Sequence, residues 1–151
     1  MEGTGPVPRL SARLQAIVEA LPLRPGLRVV EIGCGPGALA REIARRVAPG
    51  GHVLAVDRSR RATAQLAASA GDLIAAGLLR VRTTAGEELV LDPGEARYDL
   101  AVAVRVGAFD GRHPEAGERA MARLGHVLVP GGPLLVDGGD PLRRLAVPHR
   151  A

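Results

Sequence analysis

The chain has 151 residues and a mass of 15.6 kDa, with 46% hydrophobic and 24% charged residues, which is room for one soluble domain around one core. No apolar run approaches the ~20 residues of a membrane span, Met1–Pro6 lacks a basic-then-apolar leader pattern, and Cys34 is the only cysteine, so an intrachain disulfide is excluded and a cytoplasmic location is expected. All 20 basic residues are arginine against 16 acids, giving a net charge of +4, but they are scattered, and Tyr98 and Phe109 alone cannot supply a stacking platform for nucleic acid.

Residues 1–8, with two prolines and two glycines, predict a loose arm. Leu14, Ile17, Val18 and Leu21 recur at helical spacing behind Ser11, a suitable N-cap, and the helix ends before Pro22. Pro25-Gly26 turns the chain into a first strand, Leu27–Ile32. A helix over Ala38–Val47 places Leu39, Ile43 and Val47 on one face and Arg41, Arg45 and Arg46 on another. Pro49-Gly50-Gly51 breaks it, and a second strand over His52–Val56 ends on Asp57. One helix is predicted over Arg61–Ala76, with Leu66, Leu73 and Ile74 as core positions and Gly71 a local weakness.

Leu79–Thr83 alternates as a third strand, and Gly86–Ala96 reads as loop with a short helix. Tyr98–Val104, apolar after its first two residues, is the fourth strand. The loop Arg105–Pro114 leads to a helix over Glu115–Leu128, and the Pro130-Gly131-Gly132 turn opens a fifth strand, Pro133–Asp137. The segment 138–151 carries glycines, prolines and arginines and predicts little regular structure. Short apolar strands alternating with helices predict an α/β fold: a doubly wound, mainly parallel five-stranded sheet with helices on both faces. Right-handed crossovers bring the glycine turn after strand one, Asp57 and the Arg105 loop to one edge, where such sheets bind ligands.

Two nucleotide-type cofactors fit that edge. Gly33-x-Gly35-x-x-Ala38 matches the dinucleotide fingerprint, with Asp57 placed 20 residues beyond Gly37 as a ribose acid, which suggests NAD and an oxidoreductase. The fuller pattern points elsewhere. Val30-Glu31-Ile32-Gly33-Cys34-Gly35-Pro36-Gly37 resembles the first motif of the class I S-adenosylmethionine-dependent methyltransferases. Val53-Leu54-Ala55-Val56-Asp57-Arg58-Ser59 is similar to their second strand, and Thr84-Ala85-Gly86-Glu87-Glu88-Leu89 to the loop after strand three. Tyr98-Asp99-Leu100-Ala101-Val102 resembles their fourth strand, and Leu128-Val129-Pro130-Gly131-Gly132 their turn into strand five. The resemblance spans about residues 10–137, with five motifs in order.

It implies a single Rossmann-like domain that binds S-adenosyl-L-methionine. Glu31 would meet the cationic amino end, and Asp57 the ribose diol. The backbone at Gly33, Cys34 and Gly35 would pass close to the ligand, while Gly37 serves the turn and helix packing. Arg58 would cover the adenine, and Gly86 with Glu87 would reach its amino group. Val104, at the end of strand four, would complete the wall. Glu87 stands where the family more often has aspartate. Glu31 as a helix cap, Asp57 as a plain strand-end acid and Glu87 as a solvated loop acid are the structural alternatives. The Cys34 thiol is given no role, and no metal is expected.

Methyl transfer is an in-line displacement in which positioning supplies much of the rate, and a base is needed only where the acceptor must lose a proton. In the loop after strand four, His113 is the side chain whose ordinary pKa suits that task, although His113-Pro114-Glu115 equally reads as a helix entry. Arg105 could hold an anionic acceptor. No Asn/Asp-Pro-Pro-aromatic signature of nucleic-acid amino methylation is present, so a small-molecule acceptor is preferred. A non-catalytic cofactor-binding module that needs a partner chain is the alternative. The family's usual sheet ends in a hairpin beside strand five, for which the 14 residues after Asp137 are too few. Strand five is therefore expected to be covered by a homodimer contact or by a tail that folds back over it.

Overall fold

The computed structural model describes residues 10–151; the predicted arm lies outside the described residues. In chain order the elements are α1 (Ala12–Ala20), β1 (Arg28–Ile32), α2 (Ala38–Arg46), β2 (His52–Asp57), α3 (Arg60–Ser69), α4 (Gly71–Ala75), β3 (Leu79–Thr83), β4 (Leu100–Ala103), α5 (Pro114–Val127), β5 (Leu134–Asp137) and β6 (Leu142–Leu145). Two 3-10 turns, Gly86–Glu88 and Gly107–Phe109, follow β3 and β4. The strands form one sheet in the order β3-β2-β1-β4-β5-β6, parallel except for β6, which runs antiparallel to β5. Strand order reverses between β1 and β4, so their C-terminal ends open a crevice.

Successive residues of a strand face opposite sides of the sheet, and this alternation sorts the core into two layers. Val29, Val53, Ala55, Leu100 and Val102 pack with Ile17, Val18, Leu39, Ile43 and Leu66 of α1, α2 and α3. Val30, Ile32, Leu54, Val56, Ala101 and Ala103 pack with Leu124 and Val127 of α5 and with Tyr98. Tyr98 is fully buried, donates its hydroxyl to Glu95 at 2.7 Å, and lies 4.5 Å beneath the Arg28 guanidinium. Ser11 caps α1 by accepting from Leu14 N–H.

The sheet has six strands where five are predicted, because residues 142–145 of the tail pair with β5. The fold-back is thus the arrangement found, and β6 occupies the strand-five edge at which a homodimer contact was the alternative. Leu142 reaches the first core layer and Leu145 the second, while Arg143 and Arg144 stay exposed. The helix predicted over Arg61–Ala76 is two, broken at Ala70 just before Gly71, and Ile74 is exposed. Arg41 is buried, although helical spacing places it on the outer face. Its guanidinium donates to Ser69 Oγ at 2.5 Å and to the Pro36 carbonyl, clamping α2 to α3 beside the glycine turn. Among the described residues no helix is long and apolar enough to cross a membrane.

Candidate cofactor and acceptor site

The turn after β1 is built by backbone geometry. Gly33, Gly35 and Gly37 all have positive φ, 74°, 54° and 91°, a region that costs an L-residue with a Cβ. Space adds a second constraint at two of them: a Cβ on Gly33 would come within 2.7 Å of Val106 Cγ2, and one on Gly37 would collide with the Leu66 side chain. The N–H groups of Gly33 and Cys34 both donate to the Val56 carbonyl, tying the turn to β2.

Asp57, at the end of β2, is fixed by two main-chain donors. Gly35 N–H reaches its Oδ2 at 2.9 Å and Ser59 N–H its Oδ1 at 2.8 Å. Each carboxylate oxygen has two lone pairs, so both retain capacity for a ligand donor. Glu31 lies deeper, within the sheet. Alternation along β1 puts it on the Val29 side, beneath α1 and α2, where it is 3% exposed and its Oε1 has no hydrogen-bond partner. Burial, with the nearby Asp57 charge adding to it, pushes the Glu31 carboxyl up to about 8. The same burial, followed by Glu31 and Asp57, pushes the Cys34 thiol up, so it stays protonated and unreactive.

Two cavities flank this rim, one over each face of the sheet edge. The larger, about 560 Å³, runs from Ile32, Gly33, Asp57 and Arg58 past Thr84–Glu87 to Arg105–Ala108, Arg112, His113 and Ala116. The smaller, about 290 Å³, lies between Glu31, Cys34 and Val104 on the sheet side and Ser11, Arg13 and Leu14 of the α1 end. Gly33 and Arg105 belong to both walls. The ionisable sequence candidates Glu31, Asp57, Arg58, Glu87, Arg105 and His113 therefore all come together, as do Gly33, Cys34, Gly86 and Val104. Gly35 and Gly37 line neither cavity; they shape the turn instead.

Sequence reasoning missed two partners of this site. Arg13 of α1 forms an ion pair with Asp137 at the end of β5, and Asp137 Oδ1 also accepts the Arg105 N–H at 3.0 Å. Arg13 and Asp137 are 124 positions apart, and no spacing rule joins them. His113 is the N-cap residue of α5 but makes no side-chain capping bond; its imidazole folds over Gly107 at the cleft. Glu87 lies 3.8 Å from Arg119 of α5.

The profile of the methyltransferase domain family matches residues 29–132, from β1 through the Pro130-Gly131-Gly132 turn. The chain belongs to this family. Its doubly wound sheet is the Rossmann-like architecture of the class I S-adenosylmethionine-dependent methyltransferases. The methyltransferase domain is 37% identical over 129 residues to a protein-L-isoaspartate O-methyltransferase of Methylorubrum populi, covering 85% of this chain and 55% of that protein. It is 34% identical to the ubiquinone/menaquinone biosynthesis C-methyltransferase of Bordetella parapertussis, covering 76% and 41%. The chain thus spans about half the length of the curated relatives it matches. Among solved structures, coclaurine N-methyltransferase bound to N-methylheliamine and SAH superposes with a TM-score of 0.65 at 18% identity, over 83% of this chain and 34% of that one.

Proposed function

We propose that this domain binds S-adenosylmethionine across Gly33 and transfers its methyl group to a small-molecule acceptor in the larger cleft. The observation that carries this is the Glu31 carboxyl: buried, with Oε1 unpartnered, on the wall of the smaller cavity. An orphaned buried acceptor costs free energy until it finds a donor, and a cationic amino group supplies both donor and charge. A diphosphate, as NAD would bring, offers neither. The names of the relatives, a protein-L-isoaspartate O-methyltransferase and a ubiquinone/menaquinone biosynthesis C-methyltransferase, support methyl transfer and leave the acceptor open.

When bound, S-adenosylmethionine supplies a methyl group on a sulfonium, a carbon open to in-line attack. Asp57, already oriented by Gly35 and Ser59, accepts from the ribose hydroxyls. Glu31 holds the amino end and Cys34 lends its backbone. Arg58 covers the adenine, with Gly86 and Glu87 at its amino edge. Val104 closes the wall, and Leu14 of α1 lines the far side of the smaller cavity. His113 is placed to take a proton from an acceptor that must lose one.

Calorimetry with S-adenosylmethionine and with NAD, on the wild type and Asp57→Ala, tests the donor. Binding of S-adenosylmethionine that Asp57→Ala weakens is expected; binding of NAD alone overturns the reading. Incubation with methyl-labelled cofactor and a metabolite extract tests the chemistry. Labelled product supports transfer, and its absence from a protein that binds cofactor favours the non-catalytic module.

A further inference from the structure

Half of the larger cleft carries charge that cofactor binding leaves unassigned. The wall formed by Arg105–Ala108, Arg112, His113 and Ala116 is lined by two arginines and a histidine, and by no acidic residue. The acids around it already have partners, Arg112 of the wall itself among them. Asp57 accepts from Gly35 and Ser59, Glu87 faces Arg119, Asp137 is shared by Arg13 and the Arg105 N–H, and Asp110 accepts Arg112 Nε at 2.7 Å. That last bond engages Arg112 through Nε. A Cβ on Gly107 would lie 3.4 Å from both Arg112 Nη2 and His113 Nε2, so the two basic heads fold over the same stretch of bare backbone.

Arg105 adds a conformational signal. It is the one non-glycine residue with positive φ among the described residues, at 59°, and it stands in the wall of both cavities. A glycine would take that backbone without strain; keeping a long cation there has a cost that turn geometry alone does not require. Asp137 holds the strained turn through the Arg105 N–H. We propose that Arg105 and Arg112 form an oxyanion-binding subsite for the acceptor, with Asp137 as a positioning residue, so that the acceptor is a small molecule bearing a carboxylate or phosphate. Guanidinium forks match the paired oxygens of either group. That the bound anion is the methyl acceptor rests on the function proposed above; the anion site itself does not.

The test is amide and arginine Nε–H NMR on the full chain, titrated with benzoate, phenyl phosphate and benzamide, each with and without S-adenosylhomocysteine. Benzoate or phenyl phosphate should shift Arg105, Gly107, Arg112 and His113, and benzamide should not; the stronger anion identifies carboxylate or phosphate. Arg105→Gly, which keeps the positive-φ turn, and Arg112→Gln should each weaken the better anion about tenfold. Asp137→Asn should weaken it in the wild type but not in the Arg105→Gly background, whereas mere loss of a negative charge would strengthen it. Equal shifts by benzamide, or full affinity in both arginine variants, would overturn the subsite. Failure of S-adenosylhomocysteine to bind counts against the donor site, and the titrations without it still decide the anion site.

Discussion

Glu31 is a carboxyl that burial keeps from ionising. Unfolded, it titrates near its ordinary value; folded, it holds its proton to about pH 8. Between those values the native state binds the extra proton, so stability falls as pH rises from about 4.5 to 8 and levels off above. Glu31→Gln, neutral at every pH, should flatten that slope in urea melts of the free protein, and an unchanged slope would remove Glu31 as its source. A cationic ligand reverses the preference, so S-adenosylmethionine should bind more tightly as pH rises toward 8 and release a proton at pH 7. Calorimetry in buffers of different ionisation enthalpy measures that release, and Glu31→Gln should abolish it. Gly37 poses a steric question. Alanine there takes on both a 91° φ and a Cβ 2.2 Å from Leu66 Cδ1, so Gly37→Ala should cost roughly 2–4 kcal/mol by thermal or urea unfolding. Gly35→Ala, with open space around its Cβ, should cost only the strain of its φ.

The elements that announce themselves in the sequence are those whose pattern is local. β1, β2, β4 and β5 are mostly apolar runs, β3 alternates, and α1 carries both its cap and its apolar period, so all fall within a residue or two of their predicted limits. Where partners decide, pattern fails. Leu142-Arg143-Arg144-Leu145 has two charges at its centre and no alternation, and only the open edge of β5 makes it a strand. Arg41 reads as a surface residue because nothing in α2 reveals that Ser69 will lie beside it. Because Leu142 and Leu145 seal different core layers, replacing both with asparagine should release β6. Hydrogen exchange should then quicken at Leu134–Asp137 while β1 and β2 keep their protection; unchanged exchange in β5 would show that β6 contributes no cover.

At the scale of the whole molecule, the site is a seam between the two layers of the core. The alternation of Glu31 and Ile32 along one strand sends an acid to the α1–α2 side and an apolar wall to the α5 side. The motifs after β1, β2 and β3 point in the sequence to the residues of the proposed donor half. The acceptor half was only partly legible, because its walls come from a loop without a shared motif, from Gly107 and from the turn into α5. The ion pair between Arg13 and Asp137 had no local signal at all. It fastens the start of the first helix to the far end of the fifth strand, beside the smaller cavity that Arg13 lines, with the Arg13 side chain 42% exposed. An exposed pair is weakened by salt. The residence time of bound S-adenosylhomocysteine should therefore shorten as ionic strength rises, and stopped-flow dissociation should show Arg13→Gln releasing it at a faster, nearly salt-independent rate. A contact that touches neither reacting group would in this way set how long the spent cofactor lingers, and with it the pace of turnover.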